Sequence, residues 1–157
     1  EIMPSLVGSE MCIRDSVIPG PQDDYFSDKG KNTFYSEVYS VTADSDRMGI
    51  KLDGAPVESI DGVDIISDGI VAGSVQIPSA GKPIIMMADR QTTGGYAKIA
   101  TVITSDLPLL AQLRPGGTLR FKKVDLQYAV KRIKADKKAL KKLQTNILRA
   151  DTFTSDS

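Results

Sequence analysis

Histidine is absent from all 157 residues. That removes the commonest general base and the commonest transition-metal ligand. A single cysteine, Cys12, excludes an internal disulfide and a thiolate zinc site. Ser-His-Asp triads, Cys-His dyads and zinc-hydrolase motifs fall away with them, and no metal site is expected. Tryptophan is also missing. No apolar run approaches the ~20 residues that a membrane span requires; the longest, residues 83–88, has the length of a strand. No secretory pattern is visible, so the expected location is the cytoplasm, with no membrane partner. Twenty acidic and twenty basic residues cancel, so net charge favours no class of partner. The remaining chemistry falls to carboxylates, lysine, arginine, tyrosine, hydroxyls and backbone amides, or to a second protein.

What is present suits one globular domain, with 41% hydrophobic and 25% charged residues. Residues 1–16, "EIMPSLVGSEMCIRDS", share no period with the rest of the chain. The string resembles a peptide produced when adapter sequence is translated into a gene model. The expectation is a non-native or disordered leader over 1–16, a Cys12 without function, and homology starting near Val17.

"EVYSVTADSDRMGIKLDG" alternates around a polar break, as two strands and a turn do. "SIDGVDIISDG" (59–69), rich in Gly and Asp, reads as loop. "GSVQIPSAGKPIIMMA" is the clearest hairpin, with its second strand, apolar on both faces, central in a sheet. "KIATVI" (98–103) is a further strand. Ser105 reads as the N-cap of a short helix to Leu113. "RPGG" reads as a type II turn leading into a strand over 118–123. From 124 to 148 the period becomes helical, with Leu126, Val130, Ile133, Leu140, Leu143 and Ile147 on one face and lysines on the other. Residues 149–157 read as a disordered tail. The expected fold class is mainly β, with short helices and one long C-terminal amphipathic helix.

The stretch least like scaffold is "ADRQTTGGYAK" (88–98). Its two glycines permit close approach to a ligand, consecutive amides can form an anion-binding nest, and Arg90 can grip a carboxylate or phosphate. The same residues also suit a plain turn in which Asp89 and Arg90 pair, and composition alone does not separate the two. "SDRMG" (45–49), with Asp46 and Arg47, is a second candidate or a solvated turn. "GPQDD" (20–24) offers Gln22 and two carboxylates, or a helix start. Gln76 lies inside a strand, as a satisfied core amide or as a donor facing a ligand. The Lys-rich helix lacks the interleaved aromatics of a nucleic-acid binder, so no nucleic-acid partner is expected.

"GIVAGSVQIPSAGKPIIMMADRQTTGGYAKIATVITSDLPLLAQLRPGGTLRF", with "PGPQDDYF" and "SDRMGIKLDG", resembles the family of the 5-oxoprolinase C subunit and allophanate hydrolase subunit 2, which is carboxyltransferase-like. The resemblance implies that residues 17–123 are the C-terminal half of such a domain, with a cyclophilin-like β-barrel that is only partial. It implies a protein that works with the B subunit of the same system, and with the A subunit as a further partner, to activate a small lactam or amide at the expense of ATP. ATP is held by the complex or by this chain, biotin is not expected here, and the fragment alone is expected to be inactive. Asp89 and Arg90 are the implied catalytic residues, with Asp89 orienting Arg90 or acting on a proton. Arg47, Gln76, Thr92, Thr93, Gly94, Gly95 and Tyr96 are the implied substrate-binding residues. The alternative is a non-catalytic regulator that binds a partner subunit, as the family's antagonist of a kinase inhibitor does.

Overall fold

The computed structural model describes residues 12–154, and the chain divides after Val124 into two units. In the first unit, strands β1 (Cys12–Pro19), β2 (Tyr39–Val41), β3 (Gly49–Asp53), β5 (Ser74–Gln76), β6 (Ile84–Met86), β8 (Lys98–Val102) and β9 (Thr118–Lys123) close a barrel. Around the barrel the order is β1-β8-β5-β6-β3-β2-β9. Two further strands, β4 (Asp64–Gly69) and β7 (Thr93–Tyr96), form a separate antiparallel ribbon. Alternation builds the interior: Ile50 and Leu52 of β3 are buried while Lys51 between them is exposed, and Leu119 and Phe121 of β9 repeat the pattern.

The barrel is closed rather than partial. Its seam is β1, antiparallel to β8 and parallel to β9 from Cys12↔Thr118 to Val17↔Lys123. This corrects the boundary at residue 16, because Cys12–Ser16 of the expected leader belong to β1 and pair along β9, while Val17–Pro19 of the same strand pair with β8. Residues 1–11 of that leader lie outside the described residues.

Helix α1 (Asp28–Ser36) is not signalled by the sequence pattern. Ser27 caps it, its Oγ accepting from the Gly30 amide at 3.0 Å. Its Phe34, fully buried, stacks on Phe121 with ring centroids 4.3 Å apart. Burying such a ring stabilises the fold by roughly 1.5–3 kcal/mol. The expected loop over 59–69 holds β4, whose partner β7 is distant in sequence. Ser105 does not cap a helix. A 3-10 turn (Thr104–Asp106) precedes α2 (Leu107–Ala111), whose start receives no side-chain cap, and the Ser105 hydroxyl is buried without a partner among the described residues. "RPGG" is the expected turn: Gly117 N donates to Arg114 O at 2.9 Å, and Gly116 has φ +90°.

The second unit holds helix α3 (Leu126–Thr154), preceded by Asp125, whose carboxylate accepts from the Tyr128 amide at 2.8 Å. It continues past 148 through most of the expected tail, and residues 155–157 lie outside the described residues. Leu126, Val130, Leu140, Leu143 and Ile147 of its apolar stripe are exposed. No helix among the described residues is long and apolar enough to cross a membrane.

Candidate functional site

The stretch 88–98 runs from the end of β6, through a turn, along β7 and into β8. Its residues separate into three groups. Asp89 leaves Arg90 and meets Arg47, Oδ2 to Nε at 3.6 Å, because the Asp89 amide also bonds the Arg47 carbonyl at the tip of the β3–β6 pair. Both side chains are mostly solvated. Arg47 also lines a surface cavity of about 440 Å³ with Asp46, Met87 and Leu110, among others. None of Gln76, Thr92–Tyr96 or Lys98 lines that cavity.

Arg90 forms the second group. Its Nε donates to the Ile70 carbonyl at 3.1 Å and its Nη1 to the Ala88 carbonyl at 3.4 Å. The guanidinium thus pins the turn after β6 to the segment after β4. The local Asp89–Arg90 pair is not formed, and neither is the arrangement in which Asp89 orients Arg90.

The third group is the most enclosed. Val75 of β5 and Ile77 just after it belong to the barrel core, so Gln76 between them faces outward; Ala97 just before β8 and Ile99 within it do the same for Lys98. Gln76 and Lys98 are cross-strand partners, and the register slips by one residue beside them, where Val75 pairs Ala100. Such a bulge re-aims side chains. Although they point away from the core, Gln76 is 6% and Lys98 3% exposed. The β4–β7 ribbon supplies neighbours for both. Asp68 Oδ2 stands 3.9 Å from Lys98 Nζ, too far for a hydrogen bond. Gly94, paired with Asp68 across the ribbon, sits so close to Gln76 that a Cβ there would fall 2.7 Å from Nε2.

Neither Lys98 Nζ nor Gln76 Nε2 has a hydrogen-bond partner among the described residues. An unsatisfied buried amide costs about 1–3 kcal/mol, and groups held in this state recur at sites that bind or react. The backbone here is firmly held. Gln22 Oε1 accepts from Lys98 N at 3.0 Å, and Gln22 N donates to Lys98 O at 3.2 Å. "PGPQDD", "GSVQIP" and "ADRQTTGGYAK" therefore converge on one lysine.

Of the other expected binding residues, Thr92, Thr93 and Tyr96 are exposed on or beside the ribbon, and Gly95 is half-buried. Gly94 and Gly95 lie in extended strand without positive φ, so their amides do not form a nest. Lys98 is the residue that the candidate set lacks. A lysine embedded in the apolar run "AKIATV" carries the signal, because an isolated charge in a buried strand needs a reason.

The sequence model described as carboxyltransferase domain, subdomain A and B, matches residues 7–123. The chain is 44% identical over 121 residues to the C subunit of 5-oxoprolinase from Haemophilus influenzae, covering 76% of this chain and 39% of that protein. To the protein of the same name in Escherichia coli K12 it is 35% identical over 118 residues, 75% of this chain and 38% of that one. The chain thus spans about two-fifths of the length of these relatives. In fold it is similar to the urea amidolyase of K. lactis, with a TM-score of 0.72 at 22% identity over 81% of this chain and 8% of that one. With residues 7–123 matched, the chain belongs to the carboxyltransferase domain family, subdomains A and B.

Proposed function

We propose that this chain is part of a subunit of a 5-oxoprolinase-type enzyme, which activates a small lactam or amide at the expense of ATP together with a partner subunit. One observation carries the reading: a buried lysine and a buried amide, both without hydrogen-bond partners among the described residues, are held beneath a glycine-bearing ribbon. The relatives named as C subunits of 5-oxoprolinase support the substrate class. Activation of an amide places negative charge on its oxygen, and preorganised donors such as Lys98 and Gln76 stabilise that charge most in a site closed to water. ATP belongs to the complex in this reading, and the location is the cytoplasm. Arg90 acts by fixing the turn that carries β7, and Asp89 and Arg47 stand apart from the reacting group.

The test is reconstitution. The protein, co-expressed with A and B subunits of a 5-oxoprolinase, should support ATP hydrolysis that depends on 5-oxoproline and disappears when any subunit is omitted. Turnover that responds to urea or allophanate but not to 5-oxoproline would move the substrate within the amide class. ATP turnover indifferent to all three compounds would overturn the reading.

A further inference from the structure

We infer that Lys98, Gln76 and Asp68 together recognise one edge of a cis-type amide, with its carbonyl oxygen toward Lys98 and Gln76 and its N–H toward Asp68. This rests on the proposed lactam or amide substrate and adds to it an orientation and a rule of exclusion.

The balance of donors and acceptors sets the orientation. Lys98 Nζ and Gln76 Nε2 can only donate. They face the same side of neighbouring strands as cross-strand partners, so a single oxygen with two lone pairs can accept from both. Asp68 can only accept when ionised. Its Oδ1 is engaged by the Gly69 amide at 2.7 Å, while Oδ2 is the oxygen turned to Lys98. The gap of 3.9 Å between Oδ2 and Nζ leaves both with capacity for a third party. A lactam, a primary amide or urea presents C=O and N–H on one edge and matches this set. A trans peptide presents them on opposite edges and cannot. Gly94 fits the same account. It lets the ribbon lie directly on Gln76, and a side chain there would enter the space of Nε2 and of Ile70.

The test uses the protein in complex with its partner subunit and measures binding of 2-pyrrolidinone, N-methyl-2-pyrrolidinone and N-methylacetamide by ligand-observed NMR. The unsubstituted lactam should bind at least tenfold more tightly than the other two. Lys98→Met and Gln76→Met should each weaken it by tenfold or more. Asp68→Ala removes the acceptor but also the counter-charge of buried Lys98, and in a protein that keeps its thermal transition it should abolish the preference for the lactam that bears an N–H. Equal binding of the N-methylated lactam would overturn the inference, as would wild-type affinity in a Lys98→Met protein with an intact thermal transition. The two readings fail separately. Lactam binding that obeys these rules without 5-oxoproline-dependent ATP hydrolysis removes the proposed activity and keeps the site. Turnover with binding indifferent to Lys98 removes the site and keeps the activity.

Discussion

Two places in the barrel bury charged groups that lack hydrogen-bond partners among the described residues, and they differ in sign, in neighbours and in meaning. Lys98 and Gln76 lie on the outer face of β5 and β8, near Asp68 and under a glycine. Asp15 lies on the inner face of β1, between Ile13 and Val17 of the core, with both carboxylate oxygens unpartnered. The charge nearest to it in effect is another carboxylate, Asp106, whose Oδ2 accepts from the Ser16 amide at 2.8 Å. Burial, and then Asp106, push the Asp15 carboxyl from 3.8 up to about 7. The outer cluster combines donors with an acceptor and can be completed by a neutral polar ligand. The inner one sets acid against acid and offers a ligand nothing. An orphaned buried group therefore points to a site only when its neighbours complement what is missing.

The sharpest way to separate the two is to remove each. Because the folded pKa of Asp15 is raised, its favourable contribution is complete below about 3.8 and is lost as pH climbs through about 7. The rise corresponds to on the order of 4 kcal/mol at higher pH. Asp15→Val should therefore raise the urea midpoint strongly at pH 8 and much less at pH 5. An equal shift at the two values would show that Asp15 is not the titrating group. Lys98→Met should differ in its effect on function rather than on stability. The fold should hold or gain thermal stability, since an apolar chain replaces a buried charge, while turnover in the complex falls about a hundredfold. A protein that loses both together would place Lys98 among structural residues. Gly94→Ala should have a smaller effect, about tenfold in lactam affinity and about 1–3 kcal/mol in stability, because its Cβ must displace Gln76 or Ile70. Hydrogen exchange on β4 and β7 would report the shifted ribbon.

How much of this is legible in the chain itself obeys the same division. Strands whose neighbours are close in sequence are legible, β2 and β3 by alternation and β5 and β6 as a hairpin whose second strand is an apolar run, and the type II turn into β9 is carried by its Pro and Gly. β4 is illegible because "DIISDG" has no clean alternation and its pairing partner, β7, lies beyond two other strands. β1 is illegible because Asp15 breaks the inward series of Ile13 and Val17. α1 is hidden by Gly30 and Asn32, both poor helix formers, and is held by its cap and by Phe34 on Phe121. In the site, the unusual polar stretch marks the correct neighbourhood. The division of labour within it depends on which face of a strand each residue takes. That is settled by the register of β5 against β8, which no local pattern encodes.

Arg47 gives the finest probe of that division. The resemblance implies that it binds substrate. The geometry places it at the tip of β3, paired with Asp89 at 3.6 Å, with its side chain 92% exposed. A pair so solvated holds little energy, since water competes for both charges and ordering a long side chain costs entropy. Arg47→Ala should leave lactam affinity and turnover within about twofold and change stability by less than ~1 kcal/mol. A loss of tenfold or more in turnover, with the fold intact, would bring the mouth of the 440 Å³ cavity into the reaction. The centre of the site would then lie at the β3–β6 tip, and Lys98 would lose its place as the group that meets the substrate.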